Sequence, residues 1–221
     1  MKKPLVIFGT GDIAQLARYY FSNDSAYEVV AFTVDHGYIN APTYCGLPVV
    51  AFEEVANRFS PDQYDMFVAL SYSKLNEVRK SKYLAAKSLG YRIASYVSSH
   101  ATLLNEGCIG ENCFILEDNT IQPFVTIGNN VTLWSGNHIG HHSTIHDHCF
   151  IASHVVVSGG VEIGEACFIG VNATLRDHIK IGEKCVIGAG ALILSDADPA
   201  GVYIGAATER AKVPSNRLNR I

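Results

Sequence analysis

From Ile109 to Ile193 every sixth residue is aliphatic, fifteen positions in succession: twelve Ile, Leu133, Leu175 and Val157. A helix repeats about every 3.6 residues and a half-buried strand about every 2, so neither yields a strict period of six, whereas a hexapeptide solenoid does. The residue after the aliphatic one is Gly in seven repeats. The fifth position is compact almost throughout (Cys, Val, Ala, Asn or Ser), with Ile179 the one bulky residue. The pattern predicts an all-β left-handed parallel β-helix in which each repeat forms one side of a triangular coil. Eighteen residues then close a turn, and fifteen repeats give five coils. The aliphatic and compact residues are expected to point inward, with Gly easing the corner.

Before the repeat the hydrophobic pattern alternates between strand and helix. Strands are expected at Pro4–Gly9, Tyr27–Val34, Asp65–Ser71 and Tyr91–Val97, with helices at Asp12–Phe21, Phe52–Phe59 and Lys74–Leu89. That order implies a small parallel sheet with helices packed against it. The chain thus divides into an α/β, Rossmann-like domain over 1–100 and a β-helix with a C-terminal tail over 101–221.

Composition narrows the choice of partners. The net charge is −4 with scattered basic residues, and no Lys/Arg-rich run points to nucleic acid or an anionic membrane. No apolar run approaches the ~18 residues of a membrane span. The start, MKKPLVIFGTG, reads as a first strand and not a signal peptide, so a cytoplasmic protein is expected. Cys149, Cys167 and Cys185 recur every eighteen residues and should stack inside successive coils. Parallel in-register Cβ atoms are too far apart for a relaxed disulfide, so these cysteines read as small core residues.

Gly9-Thr10-Gly11-Asp12-Ile13-Ala14 forms a G-x-G-x-x-A turn between the first strand and its helix. Such a turn lets backbone N–H groups approach a phosphate, and Asp35 at the end of the second strand is placed to accept a ribose hydroxyl. The domain is too short for two mononucleotide halves, so one nucleotide fits better than NAD. Ser73, Lys74, Asn76 and Arg79 open the helix after the third strand, where a parallel sheet presents its binding edge.

Seven of the nine histidines lie between His138 and His178. His141 and His142 hold the third and fourth positions of their repeat, which point outward. One coil later the third position is Gly159, in the Gly159-Gly160 pair. A base at His141 would sit one strand spacing from a backbone N–H with no side chain before it, an arrangement suited to acyl transfer. His154, just before Gly159, is expected to line the same groove.

A hexapeptide solenoid behind a G-x-G-x-x-A α/β domain resembles the bacterial sugar acyltransferases. These include the N-acetyltransferases of nucleotide-linked aminodeoxysugars in surface polysaccharide synthesis and the sialic acid O-acetyltransferase relatives. The resemblance implies that the N-terminal domain holds a nucleotide-linked amino sugar through Gly9, Gly11, Asp12, Asp35, Asn76, Arg79 and His154. It implies that acetyl-CoA lies along the solenoid between subunits of a homotrimer, and that no metal is used. His141 then maps onto the general base and Gly159 onto the oxyanion donor. Gly159, Gly188, Ala189 and Gly205 would offer backbone to CoA, with Arg210 and Lys212 facing its phosphates. The outward Trp134 and Phe124 are expected at subunit contacts. Three departures stand out. His142 replaces the acid that often follows the base, Phe150 replaces a second His, and the tail from Gly205 to Lys212 lacks the family's proline.

Alternative readings are O-acetylation of a sugar, a zinc-dependent carbonic anhydrase built on the same solenoid, and a sugar-nucleotide-binding protein without chemistry.

Overall fold

The computed structural model describes residues 2–210 and 214–217. The N-terminal α/β region comprises β1 (Lys3–Phe8), α1 (Asp12–Asn23), β2 (Tyr27–Val34), β3 (Thr43–Tyr44), β4 (Leu47–Ala51), α2 (Val55–Arg58), β5 (Asp65–Val68) and α3 (Glu77–Ser88). Its sheet runs β3-β4-β2-β1-β5, parallel except where β3 pairs antiparallel with β4. The β3–β4 hairpin was not expected, because Pro48 and the Cys45-Gly46 turn interrupt its apolar pattern. The helix expected from Phe52 is a 3₁₀ turn, Phe52–Glu54, leading into one turn of α2. α3 starts at Glu77 and not at Lys74, since Lys74, Leu75 and Asn76 are all left-handed, with φ of 50°, 52° and 67°.

The repeat builds three stacks of two-residue parallel strands, which fit a left-handed β-helix. The first face runs from Tyr96–Val97 to Val202–Tyr203 and the second from Thr102–Leu103 to Leu192–Ile193. The third runs from Thr126–Ile127 to Lys180–Ile181. Register is eighteen residues up to Ile193, as in Phe150 opposite Phe168 and Ile151 opposite Ile169, and shortens to sixteen where Val186 pairs with Val202. The coil is longer than the periodic segment, because Tyr96–Val97 pairs with Phe114–Ile115 and is the solenoid's first strand. The leading aliphatics and the compact fifth residues form one buried core. Each fully buried Ile, Leu or Val contributes about 1.5–3 kcal/mol.

The corner is made at the fourth position and not by the glycine at the second. Every fourth residue from Asn112 to Gly190 has φ between 53° and 78°, the left-handed region that Asn, Asp, His and Gly enter most readily. The second-position glycines serve close approach. A Cβ on Gly164 would stand 2.6 Å from Glu183 N, and one on Gly170 2.6 Å from Ala189 N.

Polar residues at the fifth position also have a physical cause. The carbonyl of the second residue on the same side of the next coil, fifteen residues on, needs a donor inside the prism. Cys113, Cys149 and Cys167 donate to Gly128, Gly164 and Gly182 carbonyls at 3.1 Å, and Ser143 Oγ donates to the Ser158 carbonyl at 3.0 Å. Burial pushes the Cys113 thiol up to about 12, and it raises that of Cys149 strongly, so both remain donors.

Cys149→Ala removes a fully buried thiol and its bond to Gly164. It should cost about 1–3 kcal/mol, read as a fall in urea midpoint. Cys149→Ser, which keeps the donor, should cost less.

Candidate functional site

The sheet order places a topological switch point between β1 and β5. From β1 the chain moves outward to β2 and then β4, and it returns to the other side of β1 for β5. Open α/β sheets bind ligands in such a crevice at the carboxyl ends of the strands. Here a cleft of about 740 Å³ opens there, bounded by Gly11, Asp12 and Ile13 after β1 and by Ala69–Tyr72 after β5. The first face of the solenoid supplies the opposite wall with Trp134, Phe150, Phe168, Ser153 and Gly170. Tyr72 packs over that face at 5.0 Å from Phe150 and 4.8 Å from Phe168. The wall is thus largely aromatic, with the amino end of α1 and the Asp12 side of its first turn as the polar part.

A second constellation lies across the second face, at the corner between the second and third faces. The imidazole of His141 lies over Gly159, so that a Cβ there would stand 2.7 Å from His141 Nε2. Among the described residues no acceptor meets the Gly159 N–H. His141 N donates to Gln122 Oε1 at 2.8 Å, and His141 Nδ1 stands 3.1 Å from His142 Nδ1. From the next coil the ring of His178 folds back over Gly160, so two imidazoles bracket a bare dipeptide. Among the described residues no three His, Cys, Asp or Glu side chains converge on a metal position.

Residues 109–141, 125–159 and 160–195 match the model described as bacterial transferase hexapeptide (six repeats). The match is confined to the repeat region and shows that this segment carries the hexapeptide repeat. The hexapeptide repeat is the part of the expected resemblance that this match covers. No curated protein matches the chain in sequence. A mutant perosamine N-acetyltransferase from Caulobacter crescentus, in complex with CoA and GDP-perosamine, superimposes with a TM-score of 0.81 at 21% identity, covering 91% of this chain and 93% of that one. WeeI from Acinetobacter baumannii AYE gives 0.77 at 19%, covering 92% and 97%. The acetyltransferase domain of PglB from Neisseria gonorrhoeae FA1090, in complex with acetyl coenzyme A, gives 0.67 at 22%, covering 91% and 96%. At these identities the likeness establishes a shared fold.

Within this hexapeptide fold the expected site residues separate. Gly11 and Asp12 line the cleft, and Gly9, Asp35, Asn76 and Arg79 do not. Gly9 serves packing: its φ is +126°, and a Cβ would stand 2.7 Å from the Ala69 carbonyl oxygen. The Asp35 carboxylate is already paired with Lys82, whose ammonium lies over the Phe8 and Phe52 rings. His154 lies over Gly136 at the corner beside the cleft, one strand before Gly159, and so does not share a groove with it. Trp134, expected at a subunit contact, instead packs near Phe150 and lines the cleft. Phe124 is 66% exposed and stacks on His142. Gly188, Ala189 and Gly205 do come together at the last coil, where Gly188 N donates to the Tyr203 carbonyl and the Gly205 backbone lies against Ala189. Arg210 is exposed, and Lys212 lies outside the described residues.

Asn76 and Arg79 are corrected most. Both are buried, where a solvated or ligand-facing helix start was expected. Asn76 Nδ2 donates to the Ala166 and Cys167 carbonyls at 3.2 and 3.3 Å. The Arg79 guanidinium donates to Thr132 Oγ1, Asn76 Oδ1 and the His148 and Cys149 carbonyls. Burial pulls the Arg79 pKa down to about 10, so the cation persists at neutral pH without a carboxylate partner. Together they pin α3 to the first face and hold the left-handed Lys74–Asn76 turn behind Tyr72. The cleft aromatics were missed, although the outward Phe150 and Phe168, eighteen residues apart, are legible in the repeat frame.

Arg79→Ala strands buried acceptors on both sides of this contact. It should lower stability by about 3 kcal/mol or more, measured by urea unfolding. Lys74→Ala, on the exposed side of the same turn, should cost far less.

Proposed function

We propose that the protein is an acetyl-CoA-dependent N-acetyltransferase acting on the amino group of a nucleotide-linked aminodeoxysugar, in the cytoplasm and for a surface polysaccharide. The observation that carries the reading is the His141 imidazole lying on a glycine whose N–H meets no acceptor among the described residues. An adjacent base and unpaired backbone donor serve the two needs of aminolysis. His141 Nε2 takes the proton of the attacking amine, and Gly159 N–H stabilises the oxyanion of the tetrahedral intermediate. Collapse expels the CoA thiolate, with no acyl-enzyme. Fold relatives that hold CoA, acetyl coenzyme A or GDP-perosamine support the two substrate classes.

In this reading residues 1–100 serve as a Rossmann-like sugar-nucleotide unit and 101–221 as the acyltransferase unit. The nucleotide sugar occupies the switch-point cleft. Asp12 accepts hydrogen bonds from ribose or base, and the Tyr72–Trp134–Phe150–Phe168 wall takes the apolar faces. CoA runs along the solenoid past Gly159 of one copy, and the backbone of Gly188, Ala189 and Gly205, which lies beside the cleft, meets it from a neighbouring copy with Arg210 near its phosphates. The cleft and the His141 corner lie on opposite sides of the second face. One chain therefore cannot bring them together, which supports a homotrimer whose sites are shared between copies. The exposed Phe124, Val156 and Leu192 along that face and corner fit such a contact.

Incubating the protein with acetyl-CoA and a panel of nucleotide-linked amino sugars, with thiol release as readout, tests the reaction. Turnover with an amino sugar and none with its hydroxyl counterpart is expected, and the reverse would overturn the acceptor assignment. His141→Asn should lower kcat by about 10²–10⁴ with the fold intact, because the side chain lies outside the prism core. Near-wild-type turnover in that variant would refute the base. Trp134→Ala should raise KM for the sugar nucleotide and leave KM for acetyl-CoA unchanged; the opposite split would remove the sugar from the cleft.

A further inference from the structure

The contact between His141 and His142 carries a consequence for how the base is held. Two Nδ1 atoms at 3.1 Å form a hydrogen bond only if one bears a proton and the other offers its lone pair. If His141 Nδ1 is the donor, its Nε2 lone pair is free. In the reverse arrangement the His141 proton sits on Nε2 and blocks it. We propose that His142 is a positioning residue that accepts the Nδ1 proton of His141, holding the base in its working tautomer and sharing charge when the base is protonated. The inference rests on the reading of His141 as general base.

Three features hold His142 in place for this task. Its backbone occupies the left-handed corner with φ of 60°, and its N–H donates to the Pro123 carbonyl at 3.2 Å. Its ring rests on Phe124 with centroids 4.7 Å apart, and it meets the His141 ring at 86°. His141 is fixed from the other side by its own N–H on Gln122. Once His141 has taken a proton at Nε2, both of its nitrogens bear hydrogen, so Nδ1–H must donate and His142 must accept. That bond becomes charge-assisted, about twice as strong as its neutral form. The interaction thus strengthens as the amine proton moves, which lowers a barrier and not merely a binding energy.

Long-range ¹H–¹⁵N correlation on histidine-labelled protein reads the tautomer directly and needs no substrate. Wild type should show His141 protonated at Nδ1, and His142→Ala should lose that preference. In the same variant kcat should fall about 10- to 100-fold, with KM for both substrates moving by no more than about threefold. Ala already occupies left-handed corners at Ala166 and Ala200, so the variant can keep the fold. His142→Glu, which offers a carboxylate to the same proton, should restore the tautomer and bring kcat to within about threefold of wild type. His141 found as the Nε2–H form in wild type, or a Glu variant as impaired as the Ala one, would overturn the proposal. A protein with the expected tautomer whose His141→Asn variant keeps full turnover would instead refute the general-base reading itself.

Discussion

The rest of the molecule depends on one backbone constraint: every fourth residue of the repeat turns the chain in the left-handed conformation. That turn aims the first residue of the next repeat inward and makes the eighteen-residue coil stack in register. It also restricts which side chains the corners can carry. Asn, Asp, Gly and His tolerate the conformation, and they fill most of these positions. Four of the seven clustered histidines, His142, His148, His154 and His178, stand at such corners. Their abundance therefore reflects backbone geometry before chemistry.

His141 differs from them. It occupies the third position, where the backbone is not left-handed, and its ring lies on Gly159. The corner histidines divide by surroundings. His148 is buried under α3 with its Nδ1 3.0 Å from Asn130 Nδ2, at the end of a ladder that reaches Val68 through Asn112. Since the amide donates, His148 Nδ1 accepts, and burial lowers its pKa, keeping the ring neutral. That ladder, with Asn76 and Arg79, locks the α/β region onto the first face and so fixes the cleft relative to the coil. His142 faces outward against Phe124, and His178 folds over Gly160, so that it and His141 bracket Gly159-Gly160.

The coil was legible because the inward positions repeat without a gap, and the cleft's first wall because a glycine turn follows a buried strand. Asn76 and Arg79 misled because polar residues at a helix start usually face water. Nothing local reveals that an eighteen-residue ladder of carbonyls waits opposite them. The role of Gly at the second position was likewise hidden: a turn and a close backbone approach both call for Gly, and only the neighbouring coil distinguishes them. Asp35 stood where a ribose acceptor belongs, but Lys82, 47 residues away, occupies its carboxylate.

The central claim is that the His141 corner of one copy works on a ligand held in the cleft of another. Mixing two inactive variants, His141→Asn and one with the cleft filled by Ser153→Trp, tests it most directly. After reversible dissociation and reassembly at equal ratio, each variant supplies the half that the other lacks. The account predicts activity returning to about a quarter of wild type. Mixed assemblies no more active than either variant alone would contradict it.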